Sequence, residues 1–125
     1  VRVDVIVPRH NNLPFVGWAT EAYVWELARY GTRIYFQPPP FVHSKLLLVD
    51  DDYALIGSAN LDPRSLRLNF EFNVEIYSSA LVKQLKDHCD GIIRLSDRTT
   101  VYEIDSRPML RRLWTSFFKL FSPYL

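Results

Sequence analysis

Hydrophobic and polar positions follow two different periods along this chain, and the first forty residues show both. Valines at every second position over residues 1–8 predict a mostly buried strand, which Pro8 ends. Over residues 15–30 the apolar positions recur at helical spacing, and Gly31 stands where a C-terminal cap is expected. Residues 32–36 predict a second strand. A strand, a helix and a strand in this order are typical of two parallel strands joined by a crossover helix.

The middle of the chain predicts a β-hairpin and one further strand. Residues 45–49 form an apolar run suited to a central strand, three aspartates follow as a polar turn, and residues 53–56 form the second strand. Gly57 and Ser58 end that strand. An irregular segment rich in Asn, Asp, Pro and Ser then leads to a strand over residues 70–77.

The pattern after residue 77 is helical. Ser78 or Ser79 can cap a helix that runs to about residue 95. Its predicted inward stripe comprises Leu81, Leu85, Cys89 and Ile92 or Ile93. Thr100 and Glu103 have the spacing of a capping box and mark a short further helix.

The chain closes with a predicted amphipathic helix over about residues 108–122, which Pro108 opens. One side of this helix carries Leu110, Leu113, Trp114, Phe117, Phe118 and Phe121. Basic residues accompany it in the sequence, namely Arg107, Arg111, Arg112 and Lys119. Such a helix can rest at an anionic lipid interface or pack against protein, and the sequence leaves both open.

Composition limits the class of protein. The 125 residues, 48% hydrophobic and 23% charged, predict one globular α/β domain over residues 1–125 and exclude a disordered or fibrous chain. The net charge of +1 disfavours a nucleic-acid-binding surface. Cys89 is the only cysteine, so the chain forms no internal disulfide. No apolar run is long enough to span a membrane, and the absence of an initiator Met before Val1 suggests a piece of a longer protein.

The candidate chemistry begins at His43 and Lys45. Side chains two apart in a strand point the same way, so an imidazole and an ammonium are expected to project together. An imidazole accepts and returns a proton near neutral pH, and an ammonium neutralises a phosphoryl oxygen as charge develops on it. The pair suits phosphoryl transfer. Gly57, Ser58 and Asn60 follow at a strand end, where a hydroxyl, an amide and backbone N–H groups can cradle an anion.

The spacing H-x-K-x4-D-x6-G-S-x-N, which starts at His43, resembles the HKD motif of the phospholipase D superfamily. The continuation from Asn60 through Arg64 and Ser65 to Glu71 is most similar to bacterial cardiolipin synthases. The resemblance implies a phospholipase D-like α/β/α sandwich in which helices flank a mixed sheet. Those synthases carry two motifs and this chain carries one, so the chain resembles their C-terminal half.

The resemblance also implies roles for individual residues. His43, Lys45 and Asp50 are the H, K and D of the motif and are implied to be catalytic. The position of Asp50 in the predicted turn favours a structural role for it, through hydrogen bonds to the turn backbone. Ser58 and Asn60 are expected to line the phosphate site. Glu71 is expected to orient the histidine through a hydrogen bond to the imidazole. Two arginines, Arg64 and Arg67, could contact the phosphate or the headgroup, or could be solvated loop charges.

The implied reaction joins two phosphatidylglycerol molecules into cardiolipin and glycerol through a phosphohistidine, without metal or cofactor. The expected partners are an anionic phospholipid at a membrane surface and a second HKD motif, from an N-terminal half of the same protein or from a second copy. The expected location of the longer protein is the cytoplasmic face of a bacterial cytoplasmic membrane. Two alternatives stay open: a homodimeric phosphodiesterase or nuclease, and a catalytically silent half that binds lipid or its missing partner.

Overall fold

The computed structural model describes residues 1–10, 23–100, 102–103, 106 and 108–120. Its strands are β1 (Asp4–Pro8), β2 (Arg33–Gln37), β3 (Lys45–Val49), β4 (Tyr53–Gly57), β5 (Asn73–Tyr77) and β6 (Asp97–Thr99). Its helices are α1 (residues 23–29), α2 (Pro63–Arg67), α3 (Ser79–Leu95) and α4 (Met109–Leu120). The residues group into two compact units, Val1–Phe41 with Leu95–Leu125, and Val42–Arg94.

The first unit contains a mixed sheet in the order β1-β2-β6. The strand pair β1 and β2 is parallel and β6 runs antiparallel to β2, so the predicted parallel pair is confirmed. Val24 and Ala28 of α1 are buried together with Ile34 of β2, and the partly buried Val5 and Phe36 pack against them. Apolar side chains four apart lie on one face of a helix, which is why α1 buries this stripe.

Two predicted caps of the first unit are confirmed. Gly31 follows α1 with a φ of +83°, in the left-handed region that glycine occupies without a steric penalty. The Thr100 N–H donates to Glu103 Oε2 at 2.8 Å, and the Glu103 N–H donates to Thr100 Oγ1 at 3.3 Å. These reciprocal bonds are those of a capping box. The part of the predicted helix over residues 15–22 lies outside the described residues.

The second unit contains an antiparallel sheet in the order β3-β4-β5. The predicted hairpin is confirmed, since Val49 pairs with Tyr53 across the turn. Ser78 caps α3, because its hydroxyl accepts the Leu81 N–H at 3.4 Å. Val82 of α3 and Ala54 of β4 have no exposed surface and are the buried apolar residues among those described in this unit.

The mixed α/β class is confirmed, and the structure corrects three details. The described strands form two sheets of three, where one sheet was expected. Because β4 pairs on both sides, β4 is the central strand of its sheet and β3 lies at the edge. In α3 the fully buried side chain is Val82, and Leu81 keeps 38% of its surface exposed. The prediction of a single domain over residues 1–125 stays a prediction.

Asp50 occupies the turn between β3 and β4 in the left-handed region, with a φ of 53°. Short polar side chains tolerate this region and β-branched ones do not, so the local geometry explains an aspartate here. We expect Asp50→Val to lower the free energy of unfolding by about 1–2 kcal/mol. Asp50→Asn and Asp50→Gly should unfold at nearly the urea concentration of the unaltered chain. Equal midpoints for the Val and Asn variants would show that the turn imposes no such constraint.

Candidate active site

The site begins where the chain enters β3. Lys45 is the first residue of the strand, and the exposed His43 lies two residues before it. The half-buried Lys45 ammonium donates a hydrogen bond to the His43 carbonyl oxygen at 2.9 Å. Burial lowers the pKa of Lys45, and the nearby carboxylates of Glu71 and Asp62 act in the opposite direction. The cation is therefore bonded to the main chain of His43 and lies within the electrostatic influence of two carboxylates.

The register of the sheet brings three strand ends to the same place. Lys45 of β3 lies opposite Gly57 of β4, and Gly57 lies opposite Asn73 of β5. A methyl group built on Gly57 would fall on the Asn73 side-chain oxygen and the Phe72 carbonyl oxygen. Only glycine allows β5 to approach β4 this closely. The end of β4 is therefore fixed next to Lys45, and Ser58 follows it directly.

Hydrogen bonds tie the residues after β4 to the beginning of β5. The Ser58 N–H donates to the Phe72 carbonyl at 3.0 Å, and the Phe72 N–H donates to the Ser58 hydroxyl at 3.0 Å. The Ala59 N–H donates to the Asn73 side-chain oxygen at 3.4 Å. Asn60 comes next and is exposed at the same end of the strand.

Three donors converge on the Glu71 carboxylate. Its Oε2 accepts from the Ser58 hydroxyl at 2.5 Å, and its Oε1 accepts from the Ser65 hydroxyl at 2.9 Å and from the Asn69 amide at 3.4 Å. These bonds lower the pKa of Glu71, with the Ser58 bond contributing most, then Ser65, while burial opposes them. Lys45 lowers this pKa further by its charge. Glu71 is thus held as an anion of fixed orientation.

The bond to Glu71 determines what Ser58 can do. An ionised carboxylate only accepts hydrogen bonds, and a hydroxyl has a single proton to donate. In this arrangement the Ser58 proton goes to Glu71 and not towards a ligand. Of the residues predicted to hold phosphate, Ser58 supports the carboxylate here, and Lys45 and Asn60 have the donors for an anion.

Ser65 and Asn69 hold Glu71, and neither was predicted for the site from the sequence. The segment expected to be irregular contains α2, a five-residue helix with Asp62 at its N-cap and Pro63 in its first turn. Asp62 Oδ1 accepts the Ser65 N–H at 2.8 Å. The helix carries Ser65 inward, where 5% of it is exposed and its hydroxyl reaches Glu71. An N-cap aspartate followed by proline is the signal from which this turn of helix could have been predicted.

Three further residues were predicted for the site, namely Arg64, Arg67 and Asp50. Arg64 and Arg67 are exposed on α2. Asp50 lies in the hairpin turn, at the other end of β3 from Lys45. At about 3.3 Å per strand residue, the two are separated by roughly 16 Å. The structure brings together Lys45, Glu71 and Ser58, with the Lys45 ammonium bonded to the His43 carbonyl, and it does not bring Asp50 to them.

Ser65→Ala is expected to raise the pH at which stability and turnover begin to fall on the acid side, because both are expected to depend on ionised Glu71. A carboxylate with a lowered pKa stabilises the fold above the pKa of the unfolded chain, and this contribution is lost as the pH falls through the folded pKa. Removing the Ser65 hydroxyl raises the folded pKa, so the loss begins at higher pH. The variant should also lose about 1–3 kcal/mol of stability at neutral pH, because the bond is partly buried.

The measurement is urea unfolding of both chains between pH 3 and pH 7, together with the pH dependence of turnover. Ser79→Ala removes an exposed hydroxyl from the first residue of α3 and is the matched control. Parallel curves of stability against pH for Ser65→Ala and the unaltered chain would contradict the assigned bond.

Two features are absent from the residues that the structure describes. Among them, no group of three or more His, Cys, Asp and Glu side chains is arranged to hold a metal ion. Within the same part of the chain, no helix has the length and apolar character needed to cross a bilayer.

Comparison with known proteins gives three consistent results. A family model described as the phospholipase D-like domain of cardiolipin synthase matches residues 1–93. The chain is 36% identical over 125 residues to the major cardiolipin synthase ClsA of Bacillus subtilis, and 39% identical to cardiolipin synthase 1 of Staphylococcus epidermidis. Each match covers 100% of this chain and 26% of the relative, so the chain spans about a quarter of the length of these proteins.

A solved structure resembles the fold. It is the crystal structure of Nuc from Salmonella typhimurium, described as a phospholipase D family member. The two superpose with a TM-score of 0.66 at 20% sequence identity, and the match covers 80% of this chain and 65% of that one. At this identity the likeness supports the mixed α/β fold alone.

Proposed function

Because the chain belongs to the family of phospholipase D-like domains of cardiolipin synthases, we propose that it supplies one half of a phosphatidyl-transfer site. The reaction joins two molecules of phosphatidylglycerol into cardiolipin and releases one glycerol. The observation that carries the proposal is the Lys45 ammonium, held beside His43 and near the anchored Glu71 carboxylate at one end of the sheet. A proton carrier, a cation and an orienting carboxylate are the groups that transfer of a phosphodiester requires.

The reaction proceeds in two displacements. In the first, an imidazole nitrogen attacks the phosphorus of one phosphatidylglycerol, the bond to the glycerol headgroup breaks, and a second imidazole protonates the departing glycerol oxygen. In the second, a hydroxyl of another phosphatidylglycerol gives its proton to that second imidazole and displaces the histidine from phosphorus. The headgroup hydroxyl is consumed and glycerol is released, so atoms and charge balance.

Each side chain has a separate task in this proposal. His43 acts as the proton donor in the first step and the acceptor in the second when the other motif supplies the nucleophile. Lys45 neutralises the phosphoryl oxygens in both transition states. Glu71 orients the His43 imidazole and stabilises its protonated form, with Ser58 holding the carboxylate in place. Asn60 donates to the phosphate from the end of β4.

The proposal requires a partner. Two imidazoles on opposite sides of the phosphorus take part, and the chain carries one HKD motif. The second motif comes from another segment of a longer protein or from a second copy of this chain about a two-fold axis. In the second case one His43 is the nucleophile and the other is the acid. The chain's coverage of about a quarter of its relatives is compatible with either source.

The lipid substrate places the reaction at a membrane surface. We propose that the longer protein acts at the cytoplasmic face of a bacterial cytoplasmic membrane. Arg64 and Arg67, both exposed on α2, are proposed to contact the phosphate or the headgroup of the anionic lipid.

The test is formation of cardiolipin and glycerol from phosphatidylglycerol vesicles by the purified chain, measured by mass spectrometry over a range of protein concentrations. A rate per chain that rises with concentration supports a site shared between two copies. A constant rate per chain down to the lowest concentration contradicts the shared site. Cleavage of single-stranded DNA, without lipid turnover, would replace the proposed substrate with nucleic acid. Vesicle binding without turnover at every concentration contradicts the second-copy arrangement.

A further inference from the structure

Asp62 fixes the beginning of the short helix α2. Its backbone is extended, with a φ of −138° and a ψ of 159°, as is usual for an N-cap residue. Its Oδ1 accepts the Ser65 N–H at 2.8 Å, and its carbonyl oxygen accepts the Leu66 N–H at 3.0 Å. A helix of five residues has too few internal hydrogen bonds to be stable by itself, so its position depends on its cap and on packing. The direction in which α2 presents Ser65 therefore depends on Asp62.

The helix brings donors from both of its ends to one oxygen of Glu71. Near its beginning, the hydroxyl of the 5% exposed Ser65 donates to Glu71 Oε1 at 2.9 Å. After its end, the Asn69 amide donates to the same oxygen at 3.4 Å, and the Asn69 N–H donates to the Arg64 carbonyl at 3.0 Å. The bond from Ser58 lowers the pKa of Glu71 most, and the bonds from Ser65 and Asn69 add to it. Two of these three donors depend on the placement of α2.

Asp62 also acts on Lys45 through its charge. Burial lowers the pKa of Lys45, the charge of Glu71 raises it, and the charge of Asp62 raises it as well. The pKa of Glu71, which the Ser58 bond lowers most, is lowered further by the charge of Lys45. The three charges therefore depend on one another, and Asp62 is the one to which no role was assigned from the sequence.

We propose that Asp62 is a positioning residue of the site, which holds Ser65 against Glu71 by capping α2 and whose charge acts on the Lys45 ammonium. Asp62 contacts no reacting atom in this role, since it acts through the other residues. As a role in catalysis the inference rests on the proposed phosphatidyl transfer, whereas the hydrogen bonds do not. The two tasks need different chemistry, because an N-cap needs an acceptor oxygen and the action on Lys45 needs a charge.

Three substitutions of Asp62 separate the two tasks. Asp62→Asn keeps an N-cap acceptor and removes the charge, whereas Asp62→Ala removes both. In Asp62→Ala the weakened Ser65 bond should raise the pKa of Glu71, and loss of the charge should lower the pKa of Lys45. In Asp62→Asn the pKa of Lys45 should fall and that of Glu71 should stay. Asp62→Gly repeats the alanine test if alanine prevents folding, because glycine is tolerated at an N-cap and offers no acceptor.

The first experiment needs no activity and is a pH titration of the folded chain by NMR. It follows the carbon-13 signals of the Glu71 carboxyl and the Lys45 Cε, which Glu71→Gln and Lys45→Met identify. The matched control Asp87→Ala removes an exposed carboxylate from α3 and should leave both titrations unchanged. An unchanged Glu71 titration in Asp62→Ala or Asp62→Gly would overturn the positioning role. An unchanged Lys45 titration in Asp62→Asn would overturn the action of the charge.

The second experiment is kcat against pH for cardiolipin formation from phosphatidylglycerol vesicles. Asp62→Ala should lower kcat by about 10- to 100-fold with little change in KM, because Asp62 orients a residue of the site and touches no lipid. The proposed activity needs ionised Glu71 and protonated Lys45. In Asp62→Ala it should therefore fall at a higher pH on the acid side and at a lower pH on the alkaline side. Asp62→Asn should change the alkaline side alone.

The two experiments separate a failure of this inference from a failure of the proposed function. If the unaltered chain makes no cardiolipin and the NMR titrations change as expected, the proposed reaction fails for this chain and the positioning of Glu71 by Asp62 stands. If the unaltered chain is active and Asp62→Ala keeps its kcat and pH range, Asp62 has no positioning role. A lower kcat in Asp62→Ala with unchanged titrations would indicate a loss of stability alone and would also overturn the inference.

Discussion

His43→Ala is expected to reduce cardiolipin formation by about 10⁴-fold or more, the largest effect of any single substitution in the chain. In the proposed reaction the imidazole carries a proton to the departing glycerol and takes one from the incoming hydroxyl. An alanine can do neither, and no other histidine lies near Lys45 along the sequence. Because His43 is exposed, its removal leaves no buried cavity and the fold should persist.

His88→Ala is the matched control, since His88 is exposed on α3 and has no assigned task. It should retain the turnover of the unaltered chain. Circular dichroism and the urea midpoint of both variants should match the unaltered chain. If His43→Ala retained more than about a tenth of the original rate, His43 would not be the proton carrier.

Lys45→Met is expected to lower kcat by about 10² to 10³-fold, because it removes the cation that we propose neutralises the phosphoryl oxygens in the transition state. Methionine keeps most of the apolar stem of the lysine, so the packing of this half-buried side chain should change little. The charge of Lys45 also lowers the pKa of Glu71. Without that charge the pKa of Glu71 rises, so the remaining activity should begin to fall at a higher pH on the acid side.

The control is Lys83→Met, which removes an exposed ammonium paired with Asp87 on α3. That change should leave both kcat and the pH profile as they were. Unaltered turnover by Lys45→Met, or an equal loss in both variants, would remove Lys45 from the site.

Local features of the fold could be predicted from the sequence because they depend on residues close together in the chain. Thr100 and Glu103 bond each other across one turn, as their spacing predicts. Gly31 takes the positive φ that its position after a helical pattern predicts. The expectation that the His43 and Lys45 side chains project together stays a prediction, because the bond between these residues runs from the Lys45 ammonium to the His43 main-chain carbonyl.

Features that depend on distant contacts could not be predicted. The bond from Ser65 to Glu71 exists because α2 turns the serine inward, and nothing in the local pattern specifies that direction. Likewise, the periodicity of α4 predicts that one side of the helix is apolar, but not which side is buried. In the structure the side with Thr115 is buried. The place of β3 at a sheet edge depends on β5, which pairs with β4 from 16 or more residues along the chain.

A chimera with a known cardiolipin synthase tests whether this chain supplies a working half of the site. In it the 125 residues replace the matching quarter of the Bacillus subtilis relative, and cardiolipin formation from phosphatidylglycerol vesicles is measured with and without His43→Ala. Cardiolipin and glycerol are expected in equal amounts from the chimera, and neither is expected from the substituted chimera. A folded, vesicle-bound chimera that makes no cardiolipin, or one that makes it equally well with His43→Ala, would contradict the account.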